Sequence, residues 1–439
     1  MTIEEYLASV SAERLGREMF TFAEGLYPIC RSITGDGLRE TLRAVGRRID
    51  LTIHEVPSGS QVFDWTVPKE WNIRDAWIAR LDGTRVVDFR ASNLHVVNYS
   101  VPVRGVMSLS ELRPHLHSMS TRPDWIPYRT SYYAPDWGFC LTHRQLEGLR
   151  DERYEVCIDS SLEDGHLSYG ECFIPGSTDD EVLVSCHACH PSLCNDNLSG
   201  VSLVTMIGEV LSGLERRYSY RLLFVPGTIG PITWLSRNEK HAARIRHGLV
   251  AACVGDPGPF HYKRSRRGDA EIDRAAALML LAKDGASIEP FSPYGYDERQ
   301  YCSPGFNLAV GSLTRTPHGR YPEYHTSADN LELIRPESLA DSLIAYLEIF
   351  AILERNVTFR NTNPKCEPQL GRRGLYSATG GLRDAKVTEM AMLWVLNLSD
   401  ERHSLLDIAE RSGLGFNAVS AAARVLEEHG LLERVDRCE

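Results

Sequence analysis

Glu181-Val-Leu-Val-Ser-Cys-His-Ala-Cys-His190-Pro-Ser-Leu-Cys-Asn-Asp196-Asn-Leu-Ser-Gly200 is the stretch whose reading decides the fold. Its first six residues are a short apolar run of the kind that makes a buried parallel strand. Pro191 stops extension, Asn195-Asp196-Asn197 supplies turn chemistry, and Ser199-Gly200 opens a helical pattern through Val201, Leu203, Val204, Ile207, Val210 and Leu211. His190 and Asp196 therefore fall on a loop at the carboxyl end of a central strand, where open α/β sheets place their ligands. His, Asp and Cys all ligate zinc, and two ligands on one rigid loop can begin a catalytic metal site that distant residues complete. Two other readings compete. Cys186-x-x-Cys189 with His187, His190 and Cys194 could form a closed structural zinc site or a redox pair, although Cys186 and His187 alternate across a strand and no second Cys pair follows. The plain alternative is a buried strand with incidental Cys and His.

Outward from this stretch the α/β pattern continues. A helix over 199–214 leads to a buried strand over 220–226, the helical residues 231–244, and a strand over 248–254 that ends at Gly255-Asp256-Pro-Gly. Strand and helix alternating in this way predict βαβ units and a mostly parallel sheet. Asp256 again falls at a strand's carboxyl end. Residues 294–307 and 319–330 are polar, Gly/Pro-broken segments dense in ionisable groups, and loops of this kind carry function on such scaffolds. A helix at Pro336–Arg355 follows.

Towards the N-terminus, residues 3–25 and 38–49 read as helices, joined by a turn-rich loop in which Arg31 and Asp36 face either a substrate cleft or each other as a surface ion pair. Between 51 and about 172 the pattern changes to short alternating runs broken by prolines and aromatics, which predicts a mainly β insertion. Residues 361–384 read as a linker rich in Pro and Gly. The tail reads helix (388–398), helix (405–412), turn, helix (417–429) and wing strand (430–435), a winged helix-turn-helix pattern. The predicted fold is α/β, a mostly parallel mixed sheet with flanking helices, an inserted mainly β subdomain and a C-terminal winged helix. Its parts are 1–50 with 173–360, 51–172, the linker 361–384, and 385–439.

Composition bounds the function. The 439 residues are 43% hydrophobic and 24% charged, an ordinary globular balance with room for two or three domains. A net charge of −11 argues against nucleic-acid or anionic-membrane surfaces. The tail carries ten acidic against six basic side chains over 385–439, and its would-be recognition helix offers one arginine, Arg424, so partner docking or homo-oligomerisation fits it better than DNA. The N-terminus has neither the basic start nor the apolar core of a signal peptide, and no stretch approaches a membrane span. Eleven cysteines at irregular spacing fit reduced thiols in the cytoplasm, without disulfides.

Three segments, 189–200, 297–307 and 322–329, give the chain a family likeness: it resembles the zinc-dependent exopeptidases that include bacterial leucyl aminopeptidases, glutamate carboxypeptidase and glutaminyl cyclases. It is more closely similar to a bacterial branch of aminopeptidase-like proteins, some linked to polysaccharide biosynthesis, with an insertion before the site and a winged-helix tail. Carried over by position, the resemblance implies His190, Asp196, Asp256 and His325 as zinc ligands and Tyr324 as an oxyanion donor. The chain also departs from the pattern. Two-metal relatives place a Glu-Glu pair after the strand at 220–226, the first acting as general base, and the closer branch keeps Pro-Glu-Thr; here Gly227 and Thr228 stand there. One zinc rather than two is implied, and the base must come from Glu323, Glu298 or Asp297. Asp297, Arg299, Tyr301 and Arg31 are the candidate substrate-binding residues. The leading expectation is a zinc aminopeptidase-like hydrolase of a small peptide or amide-linked biosynthetic intermediate. A metal-dependent binding or scaffold protein lacking the base is the alternative, and a ligand-responsive DNA-binding regulator is the third.

Overall fold

A computed structural model describes residues 1–375 and 383–435, without the side chains of 383–385, so the segments read as linker and winged helix extend outside the described residues at 376–382 and 436–439. The chain forms two compact units, Met1–Asp273 with Lys283–Leu347, and Arg274–Ala282 with Glu348–Glu439.

The first unit is built on an eight-stranded mixed sheet. Its order is Thr52–Pro57, His166–Ile174, Ser219–Val225, Glu181–His187, Ile245–Ala251, Val310–Thr314, His261–Lys263 and Ser287–Glu289. The four strands from Ser219–Val225 to Val310–Thr314 are mutually parallel, and antiparallel strands flank them on both sides. Every residue of Glu181–His187 and of Ser219–Val225 is buried, which explains why both read as continuous apolar runs without alternation. The helix Ser199–Ser212 is buried on nearly all sides, and its sequence is correspondingly apolar all round. Helix ends differ from the sequence reading where a cap intervenes. Ser11 accepts from the Arg14 backbone N–H and starts a second helix, Ala12–Leu26, so 3–25 is two helices rather than one.

Two strands from the stretch read as an insertion, Thr52–Pro57 and His166–Ile174, pair with each other and extend the main sheet. Between them lies a separate antiparallel sheet, ordered Arg85–Asp88, Glu70–Arg80, Arg153–Glu163 and Val103–Ser108. Trp71, Ile78, Val87, Tyr154, Val156 and Ile158 supply its buried face. The second unit has a three-stranded sheet, Asp400–Ser404, Thr358–Asn361 and Leu432–Val435, with the helices Arg383–Leu398, Leu405–Ser412 and Phe416–Glu428. It is a winged helix. Ser404 and Asp407 form a capping box at the start of the second helix, and Gly413 ends it in the left-handed conformation (φ 69°).

The middle of the main sheet holds a buried charge network. Arg221, 9% exposed, donates from Nε and Nη2 to both oxygens of Glu181 (2.6 and 2.9 Å), which is 1% exposed, and its Nη1 also meets Glu171. Removing one partner from such a pair leaves an uncompensated buried charge. Arg221→Met is expected to lower stability by about 3–5 kcal/mol, and adding Glu181→Leu to recover most of it. Urea denaturation of the two variants measures this.

Candidate functional site

The strand Glu181–His187 delivers His187 to its carboxyl end, and the following loop carries His190 and Asp196. Ligand atoms of these three residues all lie within 4.8 Å of one another. Asp196 is fully buried. Its Oδ1 meets His187 Nε2 at 2.7 Å, and its Oδ2 meets His325 Nε2 at 3.0 Å and His190 Nδ1 at 3.5 Å. Burial opposes ionisation of Asp196, yet the His190 and His187 imidazoles hold its carboxyl well below the usual range. Burial lowers His190 to about 4, whereas Asp196 outweighs burial at His187 and raises it.

Each of these side chains is fixed by a further layer. Asp329 accepts from the backbone N–H of Asn195 (2.6 Å) and of Asp196 (3.0 Å), which holds the loop. Burial pushes Asp329 up to about 7. Arg31, 1% exposed, donates to the His190 carbonyl (2.8 Å) and the Leu26 carbonyl (2.7 Å), and burial pulls its guanidinium down to about 10. It therefore positions His190 from behind. Tyr128 packs edge-on against both His190 and His325, with ring centroids 5.2 and 5.1 Å apart. Its backbone N–H donates to the His325 carbonyl (2.7 Å), and Ser327 exchanges hydrogen bonds with Ile126. Tyr324 stacks on His325 at 4.0 Å and Tyr296 on His187 at 5.3 Å.

The sequence-read residues divide clearly. His190, Asp196 and His325 come together, with Tyr324 beside them. Asp256 does not join them. Its carboxylate accepts from Gly258 N, Thr316 N, Thr316 Oγ1 and Asn195 Nδ2 at 2.6–3.1 Å, so it ties loops together. Tyr301 is wholly buried and its hydroxyl lies 2.9 Å from Ser185 Oγ, a core contact. Glu298, 1% exposed, is paired with Lys263 at 2.8 Å. Glu323 binds Thr326 through its carbonyl oxygen. His187, which sequence reasoning placed only in a structural zinc alternative, makes the shortest contact to Asp196; its position as the last strand residue was the available signal.

At the end of Ser219–Val225, Gly227 has room for a side chain: an added Cβ would lie 3.7 Å from both Cys189 Sγ and His187 Cβ. Thr228 follows with φ 63°, a strained conformation for a β-branched residue, and its N–H donates to Asp297 Oδ1 at 2.7 Å. Asp297 is 3% exposed and its Oδ2 is buried without a hydrogen-bond partner among the described residues. Burial pushes its carboxyl up to about 6 despite the opposing His187. Arg299 Nη2 reaches Thr228 Oγ1 at 3.4 Å from the other side.

Comparison with known proteins follows the same division. Residues 20–356 match a family described as a domain of unknown function, DUF4910, and residues 357–434 match a winged helix-turn-helix family. A Clostridium acetobutylicum protein, provisionally named as a polysaccharide biosynthesis protein with an aminopeptidase-like domain, is 52% identical over 434 residues, 99% of either chain. The crystal structure of a provisionally named peptidase from the same organism has a TM-score of 0.94 at 51% identity and 99% coverage of both chains. A zinc aminopeptidase from Bacillus subtilis has a TM-score of 0.56 at 12% identity, covering 76% of this chain and 93% of its own, and so shares the fold. The chain belongs to the DUF4910 family, with a winged helix-turn-helix domain after it, and shares its fold with a zinc aminopeptidase.

Proposed function

We propose that the chain is a metal-dependent hydrolase of aminopeptidase type, acting on a small peptide or an amide-linked biosynthetic intermediate. The observation that carries this reading is a fully buried carboxylate, Asp196, faced by three imidazoles and by no described Lys or Arg. Three imidazoles and a carboxylate are a zinc donor set, so His187, His190, Asp196 and His325 fit the metal that the fold implies. When bound, zinc would polarise an amide carbonyl and lower the pKa of a water.

The chain's own residues would do the rest. Asp297 is the best-placed proton acceptor: its free oxygen is buried, it adjoins the vacant carboxylate position at 227, and at pH 7 a carboxyl of pKa about 6 is mostly ionised. Glu298 is committed to Lys263 and does not compete with it. Tyr324, held against His325 and partly buried, is the candidate donor to the developing oxyanion. Arg31 acts on His190 rather than on substrate.

Metal binding tests the donor set. The purified chain is expected to bind one zinc, His187→Ala to weaken it more than about 100-fold, and Asp256→Asn to weaken it by no more than about 10–100-fold, as a supporting residue does. Zinc affinity by competition with a chelator measures this. A chain without bound zinc would sink the site.

Hydrolysis of an aminoacyl-arylamide panel tests the activity. Asp297→Asn is expected to cut kcat by about 10²–10⁴-fold and to abolish the rise in kcat/KM through pH about 6. Zinc binding without turnover in the wild type, with turnover gained on Gly227→Glu, would assign the chain a binding role instead.

The metal-free protein gives an independent check. A carboxyl whose pKa is raised in the folded state contributes stability that is fully present below its unfolded pKa and is lost as pH rises through about 6. Asp297→Asn, which cannot ionise, should therefore gain on the wild type between pH 4 and 6 and hold a margin of roughly 2–3 kcal/mol above it, read by urea denaturation across that range.

A further inference from the structure

A cavity of about 670 Å³ opens beside the hairpin formed by Gln61–Val62 and Trp65–Thr66. Its rings are left open to solvent: Phe63 is 46% exposed and Trp65 38% exposed. Both make T-shaped contacts, Phe63 with Phe306 (centroids 5.9 Å apart) and Trp65 with Tyr133 (5.3 Å), and each keeps part of its ring surface exposed. Asp64 at the hairpin turn and Glu239 on the helix Glu239–Ala242 line the same space, and neither forms an ion pair with a described residue. Among the described residues, no Lys, Arg or His lines it. Aromatic faces combined with unneutralised carboxylates favour an organic cation and disfavour anions.

Two of its lining residues lie on elements that begin beside the candidate site. Ile232 lies on the helix Ile229–Arg237 that begins after Thr228, and Gln300 lies on the short helix that Asp297 precedes. Tyr133, the partner of Trp65, has a phenol raised by burial and by the Cys189 thiol next to His190.

We infer that this cleft is a subsite for a guanidinium or ammonium group, seated on Trp65 and Phe63 and neutralised by Asp64 and Glu239, at the distal end of the substrate. Its assignment to a substrate rests on the hydrolase reading; the binding itself does not.

The test uses the full chain and N-acetyl-L-arginine amide, which lacks the free amine that the metal site could take, with N-acetyl-L-norleucine amide and methyl glucoside as neutral probes. Isothermal titration is expected to give the arginine probe about tenfold tighter binding than the norleucine probe, an advantage that salt reduces. Asp64→Asn with Glu239→Gln should remove that preference, and Trp65→Ala should weaken the arginine probe about fivefold. His187→Ala should leave it unchanged. Equal binding of the arginine and norleucine probes, tighter binding of the glucoside, a preference that survives loss of both carboxylates, or a dependence on His187 would each overturn the proposal. The two readings fail separately. A chain without hydrolase activity that still selects arginine keeps the subsite, and an active hydrolase without that selection loses it.

Discussion

An ionised carboxylate removed from water must have both oxygens matched, and Asp196 meets this demand without a lysine or arginine, through three imidazoles contributed by a strand, a loop and a distant segment. Its position then dictates what surrounds it. The backbone N–H groups of Asn195 and Asp196 are aimed at Asp329, so a second buried carboxyl is needed to hold the first. Asp329 in turn receives the Tyr321 hydroxyl at 3.4 Å, and that hydroxyl also lies 3.6 Å from Cys253 Sγ. Asn195 ties this layer to Asp256, whose remaining acceptor positions are filled by Thr316 and Gly258. Carboxylates that looked equivalent in the sequence thus hold different ranks: one at the centre, two as its supports.

The sheet and the loop at 188–198 were legible because their signals are local. A fully buried strand reads as unbroken apolar sequence, and Asn-Asp-Asn before Ser-Gly reads as turn and helix start. Asp256 misled because the third parallel strand runs Ile245–Ala251 rather than 248–254. The residue is thus five positions beyond the strand, in a turn closed by residues near 316, instead of at the strand's tip. His187 was read only into the structural-zinc alternative for the opposite reason: the strand runs one residue longer than its apolar run, and its last side chain is a ligand type. Glu298 and Tyr301 could not be sorted by sequence, since what settles their roles is Lys263 and Ser185, 35 and 116 residues away.

The inserted region is part of the site rather than an ornament on it. Residue 325 has a positive φ (54°), unfavourable for a histidine outside a structure that imposes it, and its carbonyl is taken by the Tyr128 N–H. The bridge between Pro127 and Thr326 and the paired bonds of Ile126 and Ser327 extend that grip along the segment. Tyr128 then fills the angle between His190 and His325, so one residue sets the backbone of one imidazole and the packing of two. The strand and its loop carry His187, His190 and Asp196. His325 is held beside them by the contacts of residues 126–128 with 325–327. That dependence gives a physical reason why the β insertion and the α/β sheet share one compact unit, and why the late His could be read from its motif but its placement could not.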